Sequence, residues 1–377
     1  MSYLNQIFEY AILSRLEGFF EAKNILSHCQ FGFRRGCSTS SAIQYFYNKL
    51  IAHLEDGQCP AGIFCDLSRA FDCVNVPLLM EKLELYGVRG TAFSWLFSFL
   101  SEREQYVSLA SQNQGVCNSS TLAVEVGVPQ GSVLGPFLFI TYINDLIQSI
   151  DPNWTVALFA DDSSFVVSTK NDEMEGVCNA GLAVLFNWFG NNFLHLNISK
   201  TTYMRFHTAQ YQGNLDISIK VGDSSISRSA TTKFLGLILD ENLNWKKQCE
   251  VLSARLSSLC FMMRNLKTVL SQAQLLNVYN AYVSSRLHYG ICFWGASSAS
   301  KIIFTTQKRV VRCMLGMKPT DSCRGTFKFL GIPSLTGVLS MRFANMFLRT
   351  NPSLLVILMS MTILHAKEMN FDQLSVD

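Results

Sequence analysis

The feature that most constrains this chain is an apolar segment interrupted by two adjacent aspartates, TVALFADDSSFVV, at residues 155–167. Two β-prone apolar runs, 156–159 and 165–167, lie on either side of the aspartates. This pattern predicts a tight hairpin with Asp161 and Asp162 at its tip. Two such carboxylates repel each other unless a positive charge lies between them, and a hard cation such as Mg²⁺ supplies one. Taken alone, a polar structural turn explains the pair as well.

A second acidic position follows another apolar run. The segment AGIFCDLSRAFD, residues 61–72, predicts a buried strand that ends in Asp66 and turns into a helix. A carboxylate at the end of a strand is well placed to act, because strand ends open onto sites while strand middles are buried. Asp72 and Asn75 lie where that helix begins, and a capping role explains them at least as well as a catalytic one.

Two turn-rich segments supply further candidates. Arg34 and Arg35 in QFGFRRGCSTSS, residues 30–41, suit contact with phosphate or a template backbone. A solvated loop that caps the next helix through Ser38 or Thr39 explains the same segment almost as well. Near residue 130, glycines and prolines predict an irregular turn that opens an apolar helix, where the backbone can approach a ligand closely.

Composition sets wider limits. At 377 residues, with 49% hydrophobic and 16% charged residues, the chain is long and apolar enough for two or three folded domains. A net charge of +3 permits a local groove for nucleic acid but does not argue for one. The twelve cysteines have no zinc spacing and no secretory signal precedes them, which favours reduced thiols and an intracellular location. The apolar run 354–364 is too short to cross a bilayer, so no membrane association is expected.

The order of predicted elements is mixed. Strands are expected at 106–109 and 122–126 around a polar loop at 110–121, and again at 217–221 and 234–239. From 243 to about 289 the pattern is helical.

Three carboxylates that converge from two strands are what a two-metal phosphoryl-transfer site requires. The signatures of the common competing designs are absent: the sequence contains no Walker A loop, Rossmann glycine pattern, Gly-x-Ser-x-Gly elbow or His-Glu-x-x-His.

Six segments occur together in one order: QFGFRRGCST, DLSRAFD, GVPQGSVLGPFLF, FADD, LNISKTTYM and FLGLILD. In this order and spacing the chain resembles the reverse transcriptases of non-LTR (LINE-type, jockey-like) retrotransposons over about residues 1–345. The resemblance implies an α+β fold: a right-hand polymerase palm of antiparallel sheet on helices, with partial fingers and a helical thumb.

The resemblance assigns roles to these residues. It places metal-binding carboxylates at Asp66 and Asp161, with Asp162 beside them and the carbonyl of Leu67 as a further ligand. Two Mg²⁺ ions are the implied cofactors, with Mn²⁺ as a substitute. Lys200 falls in the motif proposed to protonate the departing pyrophosphate, a general-acid role.

The resemblance also assigns nucleotide contacts. Phe71 matches the aromatic gate that excludes a 2′-hydroxyl, and Arg69 occupies a position that faces the triphosphate. Gln130 matches the glutamine that meets the incoming nucleotide, with Gly131 beside it.

The implied domains follow the motifs. They are partial fingers and fingers-palm helices at 1–58, a palm at 59–240, a helical thumb and C-terminal region at 241–350, and an unassigned tail at 351–377. In the family a fingers hairpin precedes the segment that begins here at Ser2, so a chain truncated at its N-terminus is expected. A separate chain that supplies the missing fingers or endonuclease is a possible partner.

The expected function is RNA-directed DNA polymerisation, which extends a primer 3′-hydroxyl with deoxynucleotides. The expected partners are an RNA template, a DNA primer and dNTPs, and the expected compartment at integration is the nucleus, although the sequence shows no targeting signal. The alternative is a catalytically silent remnant that binds nucleic acid without synthesis.

Overall fold

The principal sheet carries both acidic segments. The structure, a computed structural model, describes residues 3–111, 115–222 and 224–350. Its strands are β1 (Ala61–Cys65), β2 (Leu67–Ser68), β3 (Arg103–Gln105), β4 (Ser108–Ser111), β5 (Gly115–Asn118), β6 (Leu122–Val124), β7 (Thr155–Phe159), β8 (Asp162–Val167), β9 (His195–Leu196), β10 (Thr202–Arg205), β11 (Lys220–Val221), β12 (Ser224–Ser225), β13 (Ser227–Arg228), β14 (Thr231–Phe234) and β15 (Leu237–Asp240). Five of them form one sheet in the order β13, β10, β1, β8, β7, which is antiparallel except between β10 and β13.

Helices account for most of the remaining regular structure. They are α1 (Tyr3–Ala22), α2 (Thr39–Glu55), α3 (Val76–Leu85), α4 (Thr91–Leu100), α5 (Gly135–Tyr142), α6 (Met174–Asn191), α7 (Lys246–Leu266), α8 (Gln272–Tyr279), α9 (Ser285–His288), α10 (Ile291–Trp294), α11 (Lys301–Leu315), α12 (Thr326–Phe329) and α13 (Leu335–Thr350). Short 3₁₀ turns occur at Asn144–Ser149 and Ser298–Ser300, and a π-helical turn at Asn280–Ser284.

Both faces of the central strand β1 are covered, which is why all five of its residues are buried. On one face Phe46 of α2 lies against Phe64 and Phe234, with ring centroids 5.7 and 4.7 Å away. On the other face Ile63 and Phe165 belong to a core shared with α3, α5 and α6. Successive residues of a strand point to opposite faces, so this alternation locks the register of the sheet.

Contacts divide the chain into two units, Met1–Leu235 and Gly236–Asp377. In the second unit, α7 and α11 pack along each other, and Ser253 and Thr306 share a 2.8 Å hydrogen bond between them. The buried Gln307 donates to the Tyr279 hydroxyl and accepts from the Leu335 backbone N–H, at 2.9 Å each. This unit is therefore a helical bundle with polar links inside it.

The α+β class and the largely antiparallel sheet backed by helices are confirmed, as is the helical pattern that begins near residue 243. The loop predicted at 110–121 is wrong, because it contains β5, which pairs with β4, while β3 pairs with β6. These strands are exposed, so backbone hydrogen bonds hold them without the apolar alternation that reveals a strand in a sequence.

The predicted domain boundaries stay predictions, and the unassigned tail at 351–377 and the apolar run within it lie outside the described residues. In the described ranges, no helix has both the length and the apolar character needed to cross a membrane.

Candidate active site

The β7–β8 hairpin presents the paired aspartates as the sequence predicts. Phe159 pairs with Asp162, so the turn consists of Ala160 and Asp161, and Asp162 is the first residue of β8. Ala160 has a φ of 56° while Asp161 does not have a positive φ, the sign pattern of a type II′ turn. Glycine is the usual residue at that first turn position, so this turn carries backbone strain.

The sheet register brings Asp66 to the same place. Cys65 pairs with Ser163, and one further step along the antiparallel pair sets Asp66 across from Asp162. Partial burial, together with the charge of Asp66, raises the pKa of Asp161, although a backbone hydrogen bond opposes this. Burial and both neighbouring carboxylates raise the pKa of Asp162, and Lys233 opposes them. Asp66 and the hairpin tip therefore meet at one point of the sheet, where the charge of Asp66 raises the pKa of both Asp161 and Asp162.

Two lysines border this point. The Lys200 Nζ lies 3.8 Å from the Asp66 Oδ2, and both side chains are substantially exposed, at 69% and 41%. Lys233, on β14, lines the same cavity of about 120 Å³ as Asp66, Asp162 and Lys200. Exposed ion pairs contribute little to stability. These two lysines therefore affect the electrostatic potential at the site more than the stability of the fold.

The donor set fits a divalent cation. Within the described ranges, no group of three or more His, Cys, Asp or Glu side chains is placed to hold a metal ion. Mg²⁺ is commonly held by only one or two carboxylates, together with water and substrate phosphate, and Asp66 and the Asp161–Asp162 pair can supply that number. Leu67 is buried on β2, and its carbonyl as a ligand stays a prediction.

The predicted gate Phe71 is half-buried beside the site. Its ring stacks on Phe139 of α5 at 4.3 Å and meets Phe33 edge-on at 6.3 Å. Arg69 is exposed on the preceding turn with a φ of 48°, and its carbonyl accepts from the Asp72 and Cys73 N–H groups. The stacked ring is fixed in place, while the arginine is free to reach outward.

Gln130 and Gly131 lie on an exposed loop before α5. The Gln130 Nε2 donates to the Asp72 Oδ1 at 2.8 Å, so this loop is linked to the segment that carries Phe71. Gly131 has a φ of 81° and open space around it, which suits close approach of a ligand to its backbone.

The two arginines predicted to contact phosphate, Arg34 and Arg35, have different surroundings. The Arg34 guanidinium donates to the Ser27 carbonyl at 2.7 Å and is half-buried, so it helps to close its own loop. Arg35 is exposed on the same loop. Ser38 caps α2 through the Ser41 N–H, which confirms the capping alternative for this segment.

Three residues near the site were missed in the sequence. They are Lys233 in the cavity, Gln30 against the Ala160 turn, and Glu9, whose carboxylate accepts from the Val133 and Leu134 N–H groups at 2.7 and 3.2 Å. Gln30 is the first residue of the segment 30–41, which the sequence analysis considered only for its two arginines. Glu9 lies in an ordinary amphipathic helix. No local signal identifies either, because their partners lie more than a hundred positions away.

Comparison with known proteins gives consistent results. A family model described as reverse transcriptase (RNA-dependent DNA polymerase) matches residues 1–239. The probable RNA-directed DNA polymerase from transposon BS of Drosophila melanogaster is 27% identical over 337 residues, which cover 83% of this chain and 35% of that protein. The RNA-directed DNA polymerase from mobile element jockey of the same organism is 26% identical over 354 residues, covering 88% and 37%.

This chain thus spans about a third of the length of these curated relatives. Among solved structures, it is similar to apo telomerase from Candida Tropicalis, with a TM-score of 0.43 and 12% identity, covering 88% of this chain and 55% of that one. The resemblance to non-LTR retrotransposon enzymes is confirmed by the family model and the curated relatives.

Proposed function

Since this chain belongs to the reverse transcriptase (RNA-dependent DNA polymerase) family, we propose that it extends a DNA primer along an RNA template with deoxynucleotides. The observation that carries this proposal is the convergence of Asp66, Asp161 and Asp162 at the end of β1 and the tip of the β7–β8 hairpin. Phosphoryl transfer depends on positioning and electrostatic stabilisation, which such a rigid acidic site can supply.

Asp66, Asp161 and Asp162, with the Leu67 carbonyl, would hold two Mg²⁺ ions, or Mn²⁺ in their place. When bound, these cations would neutralise charge on the phosphate and hydroxyl oxygens. The charge of Asp66 contributes to the raised pKa of Asp161 and of Asp162, so a cation bound here would favour the ionised form of these carboxylates.

The other residues orient substrate and move a proton. Phe71, held by its stack on Phe139, would block a 2′-hydroxyl, while Arg69 would meet the triphosphate from its exposed turn. Gln130 and Gly131 would border the incoming nucleotide. Lys200 would donate a proton to the departing pyrophosphate, because its ammonium group is exposed beside Asp66.

The RNA template, DNA primer and dNTPs are the proposed partners, with Arg34 and Arg35 near the template. For a retrotransposon enzyme of this kind, the proposed compartment at integration is the nucleus.

The test is extension of a DNA primer on an RNA template by the purified chain in Mg²⁺, with nucleic-acid binding measured alongside. Asp161→Ala should lose synthesis on the order of 1,000-fold, because several kcal/mol of transition-state stabilisation disappear, and it should bind nucleic acid as before. Asp216→Ala is the matched control, since Asp216 is an exposed carboxylate of the same unit that pairs with Arg228.

Two outcomes oppose the proposal. Equal synthesis by Asp161→Ala would remove the metal assignment. Binding without extension by any of the proteins, even with Mn²⁺, would establish the silent nucleic-acid-binding alternative. In an active wild-type chain, deoxynucleotides should be preferred over ribonucleotides, as the gate at Phe71 requires.

A further inference from the structure

The acidic turn lies at the edge of the sheet and is strained. β7 is the last strand in the sheet order, so its outer side has no neighbouring strand of that sheet. Ala160 adopts a φ of 56°, a conformation that costs L-residues free energy. A strained turn at an edge keeps one geometry only when its surroundings hold it.

Residues 29–32 supply those surroundings. The Leu158 N–H donates to the Cys29 carbonyl at 2.9 Å, and the Phe31 N–H donates to the Leu158 carbonyl at 2.8 Å. The segment therefore lies along the outer edge of β7, where Gln30 and Leu158 form a parallel bridge.

The side chain of Gln30 extends this contact to the turn itself. Its Oε1 accepts from the Ala160 N–H at 3.2 Å and from the Gly32 N–H at 2.8 Å. The residue is 1% exposed, and its Nε2 has no hydrogen-bond partner among the described residues. Burying an unpaired donor costs stability, which indicates that this side chain is placed for the geometry that its oxygen imposes.

Gly32 makes that approach possible. A Cβ at this position would lie 2.3 Å from the Ala160 nitrogen and 2.9 Å from the Phe159 carbonyl carbon. Both atoms are backbone, so no side-chain movement relieves the clash. The loop and the turn fit together because residue 32 lacks a side chain.

We propose that Gln30 is a positioning residue that holds the Ala160–Asp161 turn and so sets where the Asp161 carboxylate meets Asp66. The effect that this inference predicts on synthesis rests on the proposed polymerase function. The contact between Gln30 and the turn does not depend on that function. Gln30 has no assigned contact with substrate, and it acts through the turn. A misplaced catalytic group of this kind slows synthesis by about 10- to 100-fold.

The test compares Gln30→Met with the wild type by hydrogen exchange of the free chain. Methionine has a similar length but no comparable acceptor, so amides of 158–162 should exchange about five- to tenfold faster, as expected for one lost hydrogen bond. Exchange at 165–167, further along β8, should not change.

Gln307→Met is the matched control. Gln307 is also a buried, hydrogen-bonded glutamine, but it lies in the second unit. Its loss should lower stability without changing exchange at 158–162. Should Gln30→Met not fold, Gln30→Asn carries the same test, because its shorter side chain withdraws the oxygen from Ala160.

Two further readouts separate positioning from general stability. Mn²⁺ binding to the free chain should weaken in Gln30→Met and stay unchanged in Gln307→Met. In primer extension, kcat should fall while the KM for dNTP and the affinity for primer-template stay close to wild type.

Unchanged exchange at 158–162 in Gln30→Met, or an equal rise in Gln307→Met, would overturn the inference. Exchange and Mn²⁺ binding are measured without synthesis. An inactive wild-type chain would therefore contradict the proposed function, while the role of Gln30 could still be tested by these two measurements.

Discussion

Two hairpins of the first unit have the same antiparallel pairing and opposite surroundings. In β7–β8 nearly every residue is buried, whereas β5 of the β4–β5 hairpin is exposed throughout. Val116 on β5 and Leu109 on β4 are each 67% exposed. Backbone hydrogen bonds are sufficient to form a hairpin in both places. Only packing on both faces gives the first one the fixed position that a carboxylate at its tip needs.

The largest expected difference comes from removing one core side chain. Phe165 of β8 is fully buried against Trp154, with ring centroids 6.0 Å apart, so Phe165→Ala should lower the free energy of unfolding by about 3–5 kcal/mol. Val116→Ala, on the exposed hairpin, should change it by less than about 0.5 kcal/mol. Urea unfolding followed by tryptophan fluorescence measures both. Equal costs would break the comparison between the two hairpins.

A smaller effect should follow from adding one methyl group to β1, the strand beside β8. A Cβ on Gly62 would lie 2.7 Å from the Phe206 ring, which is buried, so Gly62→Ala should cost about 1–3 kcal/mol. Gly176→Ala in α6 is the control, because the space around Gly176 is open and alanine favours helix, so stability should rise slightly. If Gly62→Ala left the free energy of unfolding unchanged, the packing around β1 would have to adjust to the added methyl group without cost.

The smallest effect concerns the two positive-φ positions of these hairpins. Ala160→Gly should relieve the turn and raise the free energy of unfolding by up to about 1 kcal/mol, part of the gain being offset by glycine's entropy. Gly115→Ala, at a φ of 73° in open space, should lower it by about 1 kcal/mol. If calorimetry found that both substitutions change the free energy of unfolding in the same direction, backbone conformation at Ala160 and Gly115 would not distinguish the two hairpins.

Local chemistry explains which parts of the site were predictable. Apolar runs and their interruptions located the strand ends at Asp66 and the Asp161–Asp162 turn, because side-chain alternation and turn residues are properties of neighbouring positions. The same reasoning offered both Asp72 and Asn75 as helix caps. The structure confirms Asn75, which accepts from the Leu78 N–H, whereas Asp72 accepts from Gln130 instead.

What the amino-acid order specified alone is therefore a part of the elements and the chemistry at their ends: the β7–β8 hairpin with its acidic tip, the glycine-rich loop and the helical second half. Tertiary packing decides which distant groups hold these parts in place. Gln30 contacts Ala160, 130 positions away, and Glu9 contacts Val133, 124 positions away. Nothing in the residues flanking Gln30 or Glu9 encodes those partners. They meet because the sheet and helices bury their apolar faces together, and the chain then satisfies backbone N–H groups with whatever acceptor lies there.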